Sequence, residues 1–286
     1  MMTCGIFVGL STIDLIHTVD EFPLANTKAV ARTQEVLVGG PATNAAIAFS
    51  HLGGSATLVA AVGRHTLASL VKEELSRYAV GLVDLTPESK DPPPISSVWV
   101  NQRGERSIVS VNTTCFKIPP SQVDRSILDR ASILLVDGHS IETGVSWAEA
   151  ARLNQVEVIF DGGSWKPGTE QLLKFVDTAI CSADFRPPGC NSEDDAIQYL
   201  QAAGVRQIAI TQGAAPIRYI TATSAGFVEV PQVDAIDTSG AGDIFHGAFC
   251  FYTAAGSNFF DALREAANIA AESCRYRGTR EWMSRR

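Results

Sequence analysis

No two of the six cysteines in this chain (Cys4, Cys115, Cys181, Cys190, Cys250 and Cys274) stand as a C-x-x-C pair. Neither a zinc site nor a disulfide framework is indicated, so reduced thiols are expected. No apolar run reaches the length of a membrane span, and Ile6 to Leu10 is only strand-sized. No basic region precedes a long apolar stretch at the N-terminus, which makes a cytoplasmic protein the expectation. Positive charge is also short: the net charge is −8, against a general nucleic-acid binder. Arg275, Arg277, Arg280, Arg285 and Arg286 cluster near the C-terminus and read as a solvated tail. Two phosphate loops are missing. The absence of G-x-x-x-x-G-K-[ST] excludes a P-loop kinase. Gly9-Leu10-Ser11 stands after the first strand where a dinucleotide-dependent oxidoreductase would carry G-x-G-x-x-G. There is no internal repeat and no low-complexity segment.

What remains is a chain of 286 residues, 45% hydrophobic, large enough for one α/β domain with or without an appendage. Cys4 to Leu10, Ala56 to Val62, Ile133 to Val136, Val156 to Phe160 and Gln207 to Thr211 read as buried strands. Pro41 to Leu52, Leu67 to Tyr78, Ser121 to Arg130, Gly144 to Asn154 and Ser192 to Ala203 read as helices. Gly53, Gly81 and Gly204 fall at expected helix ends or the following turns. This alternation predicts a mostly parallel sheet covered on both faces. Ala29 to Val38 and Ser96 to Val111 break the rhythm as strands without a helix between them. The second reads as a hairpin turning at Gln102-Arg103-Gly104-Glu105, entered through the stiff Asp91-Pro92-Pro93-Pro94. Together they would form a small β-lid.

The chemistry concentrates in Asp237-Thr238-Ser239-Gly240-Ala241-Gly242-Asp243, just ahead of an apolar helix. Small residues let the backbone approach a ligand, and the free N–H groups of a first helical turn attract an anion. The helix dipole favours a carboxylate there, so Asp243 is expected to stay ionised and to serve as a general base. The amides of Gly240, Ala241 and Gly242 would stabilise charge developing on a transferred group. A second run, Gly39-Gly40-Pro41-Ala42-Thr43-Asn44, brings paired glycines and an amide side chain to a helix start. Asn offers a donor and an acceptor, as a sugar hydroxyl requires, although an ordinary loop-to-helix junction reads the same way. Asp14 follows the first strand, where α/β sheets bind ligands, or it is a turn or cap carboxylate. Asp137-Gly138-His139 also ends a strand, facing the ligand or capping a helix. His246 lies one helical turn beyond Asp243 and reads as a packed or supporting histidine.

The D-T-S-G-A-G-D run, the G-G-x-x-x-N run and the early Asp14 together resemble the ribokinase/PfkB family of carbohydrate kinases, along nearly the whole chain. Within it, Gly242-Asp243-Ile244-Phe245-His246-Gly247-Ala248 and Thr211-Gln212-Gly213 are similar to the sulfofructose kinases, and more distantly to the ketohexokinases. The resemblance implies a three-layer α/β/α ribokinase-like fold over 1–286 as a single kinase domain. Its central sheet would be mostly parallel, with lid strands from about 15–38 and 96–111. It implies ATP-dependent phosphorylation of a sugar primary hydroxyl, ketohexose-like or anionic, with Mg²⁺ bridging the phosphates, while a requirement for a monovalent cation stays open. Asp243 becomes the base, and Gly240, Ala241 and Gly242 the anion hole. Asp14, Gly39, Gly40, Asn44, Arg106 and His139 become substrate contacts. Thr211 and Gly213 match a turn beside the nucleotide, and a small-residue helix around Asn268, running to Gly278, would flank the adenine. The lid itself makes a homodimer the expectation, since partners often cover exposed edge strands.

The chain also departs from the family. Where N-x-x-E is common, it reads Ser182-Ala183-Asp184-Phe185, which leaves Asp184 or water to complete a metal shell. Pro216 stands near the place of a further glycine after Thr211-Gln212-Gly213, and Arg64-His65 replaces an acidic pair. If some of Arg64, His65, Arg103, Arg106 and Arg186 converge, an anionic sugar becomes the expected substrate. A nucleoside kinase of the same fold and a sugar- and nucleotide-binding protein without turnover are the competing readings.

Overall fold

The computed structural model describes residues 3–103, 105–111 and 125–285. The strands are β1 (Cys4–Val8), β2 (Thr12–Thr18), β3 (Thr33–Gly39), β4 (Ser55–Ala60), β5 (Gly81–Asp84), β6 (Ile95–Val100), β7 (Arg106–Ser110), β8 (Ile133–Val136), β9 (Glu157–Gly162), β10 (Thr178–Ser182), β11 (Gln207–Gln212), β12 (Ala215–Ile220) and β13 (Ala225–Val228). The helices are α1 (Pro41–His51), α2 (Ala68–Arg77), α3 (Arg125–Leu128), α4 (Ile141–Leu153), α5 (Thr169–Leu172), α6 (Glu193–Ala202), α7 (Ala241–Ala254) and α8 (Phe259–Ser273). A nine-stranded sheet runs β13-β12-β11-β10-β9-β8-β1-β4-β5. It is parallel from β5 to β11, while β12 and β13 add antiparallel. A separate four-stranded sheet, β3-β2-β6-β7, forms the lid.

Side chains alternate across a strand, so a sheet covered on both faces must bury both alternating sets. In β1, Phe7 enters the core under α1, α7 and α8, with Leu58, Leu135 and Ile180. Its neighbours Ile6 and Val8 enter the opposite core, with Trp147 of α4 and Leu200 of α6. Three layers result, in the expected α/β/α arrangement. On the first face, α1 and α7 nearly touch: a Cβ on Gly247 would lie 2.3 Å from the Ala45 carbonyl oxygen. That approach matters beyond packing, because α1 carries Asn44 and α7 carries Asp243.

Several boundaries differ from the sequence reading. Asp14 lies within β2, a lid strand that starts at Thr12, ahead of the expected 15–38 span, and not in a turn or cap. Residues 29–32 precede β3 and are not strand, and the hairpin turn includes Gly104, outside the described residues. The predicted helix from Ser121 is described only from Arg125. Gly53 and Gly204 do take left-handed conformations (φ 105° and 94°), but Gly81 opens β5, and Ala79 (φ 53°) makes the turn after α2. Helix α8 stops at Ser273, so it does not run to Gly278. None of the five described cysteines is in a disulfide, and Cys115 lies outside the described residues. Among the described residues no helix is long and apolar enough to cross a membrane.

Candidate active site

The carboxyl ends of the parallel strands, the start of α7 and the lid come together through the bonds of Asn44 to Asp243, of Leu10 and Ala42 to Asp137, and of Arg106 to Asp237. Gly240 takes a left-handed conformation (φ 64°) as the N-cap of α7. A Cβ there would lie 2.5 Å from Thr279 Cγ2, so both the turn and the packing require glycine. The Ala241 N–H is taken by the Thr238 carbonyl at 3.3 Å. Among the described residues, the N–H groups of Gly242 and Asp243 donate to no protein group, and Gly242 is exposed. A helix start with two free amides fits an anion.

Asp243 sits in the first turn of α7, where Asn44 Nδ2 donates to its Oδ2 at 2.7 Å. Its carboxyl is pushed up to about 7, first by burial and then by the nearby Asp161 charge, against the Asn44 bond. The expectation that the dipole would keep it ionised is therefore corrected. Desolvation and a second carboxylate outweigh the helix end and raise the carboxyl. Asp161, buried at the end of β9, is itself raised by burial, and His246 Nε2 lies 3.6 Å from its Oδ1. His246 is buried, with Nδ1 2.7 Å from the Gly242 carbonyl and Nε2 3.2 Å from that of Ile180.

Other groups tie the loops around this floor. The Asp137 carboxylate accepts from the N–H groups of Leu10 (2.7 Å), Ala42 (3.2 Å) and His139 (2.9 Å). It occupies the space a side chain at Gly9 would need. Thr12 Oγ1 donates to Asp14 Oδ1 at 2.9 Å, and burial raises the Asp14 carboxyl above its ordinary value. A Cβ on Gly39 would stand 2.1 Å from Asp14 Oδ2, and one on Gly40 2.3 Å from the Leu10 carbonyl oxygen. The paired glycines thus allow Asp14 and the start of α1 to share one corner.

Arg106 reaches from lid strand β7 to the glycine-rich turn, where Nη2 donates to Asp237 Oδ1 at 2.8 Å. Asp237 also accepts from the Ser239 N–H and Oγ and the Gly278 N–H. Burial opposes its ionisation, but these donors prevail and hold its carboxyl below the usual range. The arginines that would favour an anionic sugar if they converged do not come together. Arg64 pairs with Glu88, and Arg103 with Glu21 and Glu105, on the surface. Arg186 donates to the Phe185 carbonyl, and His65 Nδ1 accepts from the Leu67 N–H. The reading of Arg280 as solvated is also overturned. It is nearly buried and donates to Asn44 Oδ1 (2.9 Å), Glu74 Oε1 (3.0 Å) and the Val38 carbonyl (3.0 Å). Its signal was the apolar Trp282-Met283 pair just beyond it, both buried. Asp161 was also missed, although it shares with Asp137 a place at the end of adjacent parallel strands.

Thr211 lies near the end of β11, with its carbonyl accepting from the Ala183 N–H at 2.9 Å, and Gly213 (φ 57°) follows with open space around it. Asn268 is exposed on α8, 3.4 Å from Glu265. Asp184 is exposed on the turn after β10, while Phe185, where the resemblance implies Glu, is 1% exposed against Phe160 and Trp165. Among the described residues no group of three His, Cys, Asp or Glu could hold a metal. Among the described residues the side chains present do not form a cage for Mg²⁺. A further concavity lies at the opposite ends of the strands, lined by Arg152, Glu157, Asp177 and Arg206. Its arginines are spent on Asp177, and it is remote from this chemistry.

Comparison with known proteins agrees with this geometry. Residues 4–285 match the description "pfkB family carbohydrate kinase". The chain is 23% identical to a deoxyribokinase of Salmonella typhi over 289 residues, covering 95% of this chain and 92% of the relative. It is 23% identical to the ketohexokinase of Mus musculus over 291 residues, covering 95% and 96%. The structure of Arabidopsis thaliana ribokinase complexed with ribose and ATP superposes with a TM-score of 0.85 at 22% identity, covering 97% of this chain and 94% of that one. Seen over nearly its full length, this chain belongs to the pfkB family of carbohydrate kinases.

Proposed function

We propose that this kinase transfers the γ-phosphoryl group of ATP to a primary hydroxyl of an uncharged, ketohexose-like sugar, with Asp243 as general base. The observation that carries this reading is the Asp243 carboxylate held by Asn44 at 2.7 Å beside two unpaired helix-start amides. Asp243 accepts the hydroxyl proton as the oxygen attacks phosphorus. The amides of Gly242 and Asp243, with the Gly240 turn, stabilise charge on the moving phosphoryl group. Asp14, with Gly39 and Gly40 admitting it, holds sugar hydroxyls, and His139 lines the same floor. Thr211, Gly213 and Asn268 border the nucleotide, while Gly278 reaches it through Asp237. Pairing of Arg64, Arg103 and Arg106 with carboxylates supports an uncharged substrate over an anionic one.

A coupled ADP-release screen over ribose, fructose, fructose 6-phosphate, sulfofructose, adenosine and inosine tests the class. Turnover confined to the nucleosides would replace this reading with a nucleoside kinase. Exchange of Na⁺ for K⁺ in that screen reports any monovalent-cation requirement. For the accepted sugar, Asp14→Ala is expected to raise KM about 10–100-fold, the loss of one hydrogen bond to a charged group, with KM for ATP unchanged. The exposed Ile108, Val109 and Val111, on or beside edge strand β7, support a homodimer through the lid. Light scattering at the monomer mass would dismiss it.

A further inference from the structure

We propose that Arg280 is a positioning residue: its guanidinium fixes which end of the Asn44 amide faces Asp243. The inference deepens the base assignment above and rests on it. Guanidinium groups only donate hydrogen bonds, so the Arg280 Nη1 contact at 2.9 Å must be to the amide oxygen of Asn44. The amide nitrogen is then left to donate to Asp243 Oδ2 at 2.7 Å. Asn44 is itself 5% exposed and cannot turn toward solvent for another partner. A turned amide would present oxygen to oxygen, an arrangement satisfied only when Asp243 carries a proton. The donor end therefore keeps Asp243 ready to accept one.

The fork that enforces this is anchored from three sides. Nε donates to Glu74 of α2, Nη2 to the Val38 carbonyl of β3, and Nη1 also to Thr279 Oγ1 at 2.8 Å. The Tyr78 ring packs 5.7 Å from the guanidinium carbon. The charged and titratable groups acting on Asp243 are Asp161 from β9, Asp137 from the end of β8, His246 from α7 and Arg280. The two carboxylates favour the protonated form, whereas Asn44 and His246 oppose them. Arg280 supports the ionised form twice, through its charge and through the amide it orients.

The test uses the whole ¹⁵N-labelled protein without sugar or nucleotide. The Asn44 side-chain NH₂ resonance, identified by its loss in N44S, is followed against pH. It should titrate near neutrality in the parent protein, and the titration should vanish in D243N. In R280Q the midpoint should rise by about one pH unit, tenfold in proton affinity, and in R280K by less. W282F loosens the same segment without touching Asn44 and should leave the midpoint in place. An R280Q titration that superposes on the parent overturns the proposal. So does a W282F shift equal to that of R280Q, or a titration that persists in D243N. If R280Q does not fold, E74Q decides: an upward shift smaller than one pH unit supports the proposal, and an E74Q titration that superposes on the parent overturns it. Failure of the base assignment itself would appear separately, as full turnover in D243N.

Discussion

Asparagine in place of Asp243 is expected to lower turnover by about 10²–10⁴-fold, the usual contribution of a positioned proton acceptor. The substitution is nearly isosteric, and its amide oxygen can still accept from Asn44 Nδ2 at the site of the 2.7 Å bond. The helix-start amides belong to the backbone and are untouched, so ATP affinity measured by calorimetry should change little. Undiminished turnover would remove Asp243 from the chemistry. Stability should move the other way. A carboxyl with a folded-state value of about 7, against an ordinary 3.8, holds its proton more tightly when folded. Its contribution to stability therefore declines as pH rises from the ordinary value to about 7, and the penalty is complete above that. D243N escapes the penalty, so it should melt higher than the parent protein in mildly alkaline buffer, with the gap closing in acid.

The pH–rate profile is expected to show the second large effect. With Asp243 titrating at about 7, kcat/KM for the sugar should climb through neutrality and level off above it. Below that midpoint activity should fall about tenfold for each pH unit, because only the ionised fraction accepts a proton. An aspartate at its ordinary value would give a flat profile across the same range. Flatness from mildly acidic to alkaline buffer would therefore show that Asp161 and burial do not hold the base where the fold places it.

The contrast between the two parts of the site explains what a single sequence can convey. The run from Asp237 to Asp243 was legible because its geometry is local: small residues, a turn and a helix start lie within seven positions. The paired glycines ahead of Asn44 were legible for the same reason. Layering of the large sheet followed from alternating apolar runs, which need only neighbouring positions to be read. The start of strand β2 was not legible because Thr12 to Thr18 mixes polar and apolar residues without the continuous run of the central strands. The ionisation of Asp243 was misjudged because the dipole of its own helix is local, while Asp161 and the depth of the cleft are not. Arg280 was misjudged by charge count: an arginine-rich segment looks solvated until the residues packed around it are known.

The contact from Asn44 to Asp243 spans 199 residues, and that from Asn44 to Arg280 spans 236. At a synthesis rate of about 5–20 residues per second, roughly 10–50 s separate the emergence of Asn44 and Arg280. During that interval β1 can already pair with β4, whereas α1 waits for α7, against which it packs. The amide that must face the base has no guanidinium to orient it until α8 has been made and the segment after it has folded back. On a nascent chain Asn44 and Asp243 are therefore both made before the guanidinium that orients the amide between them.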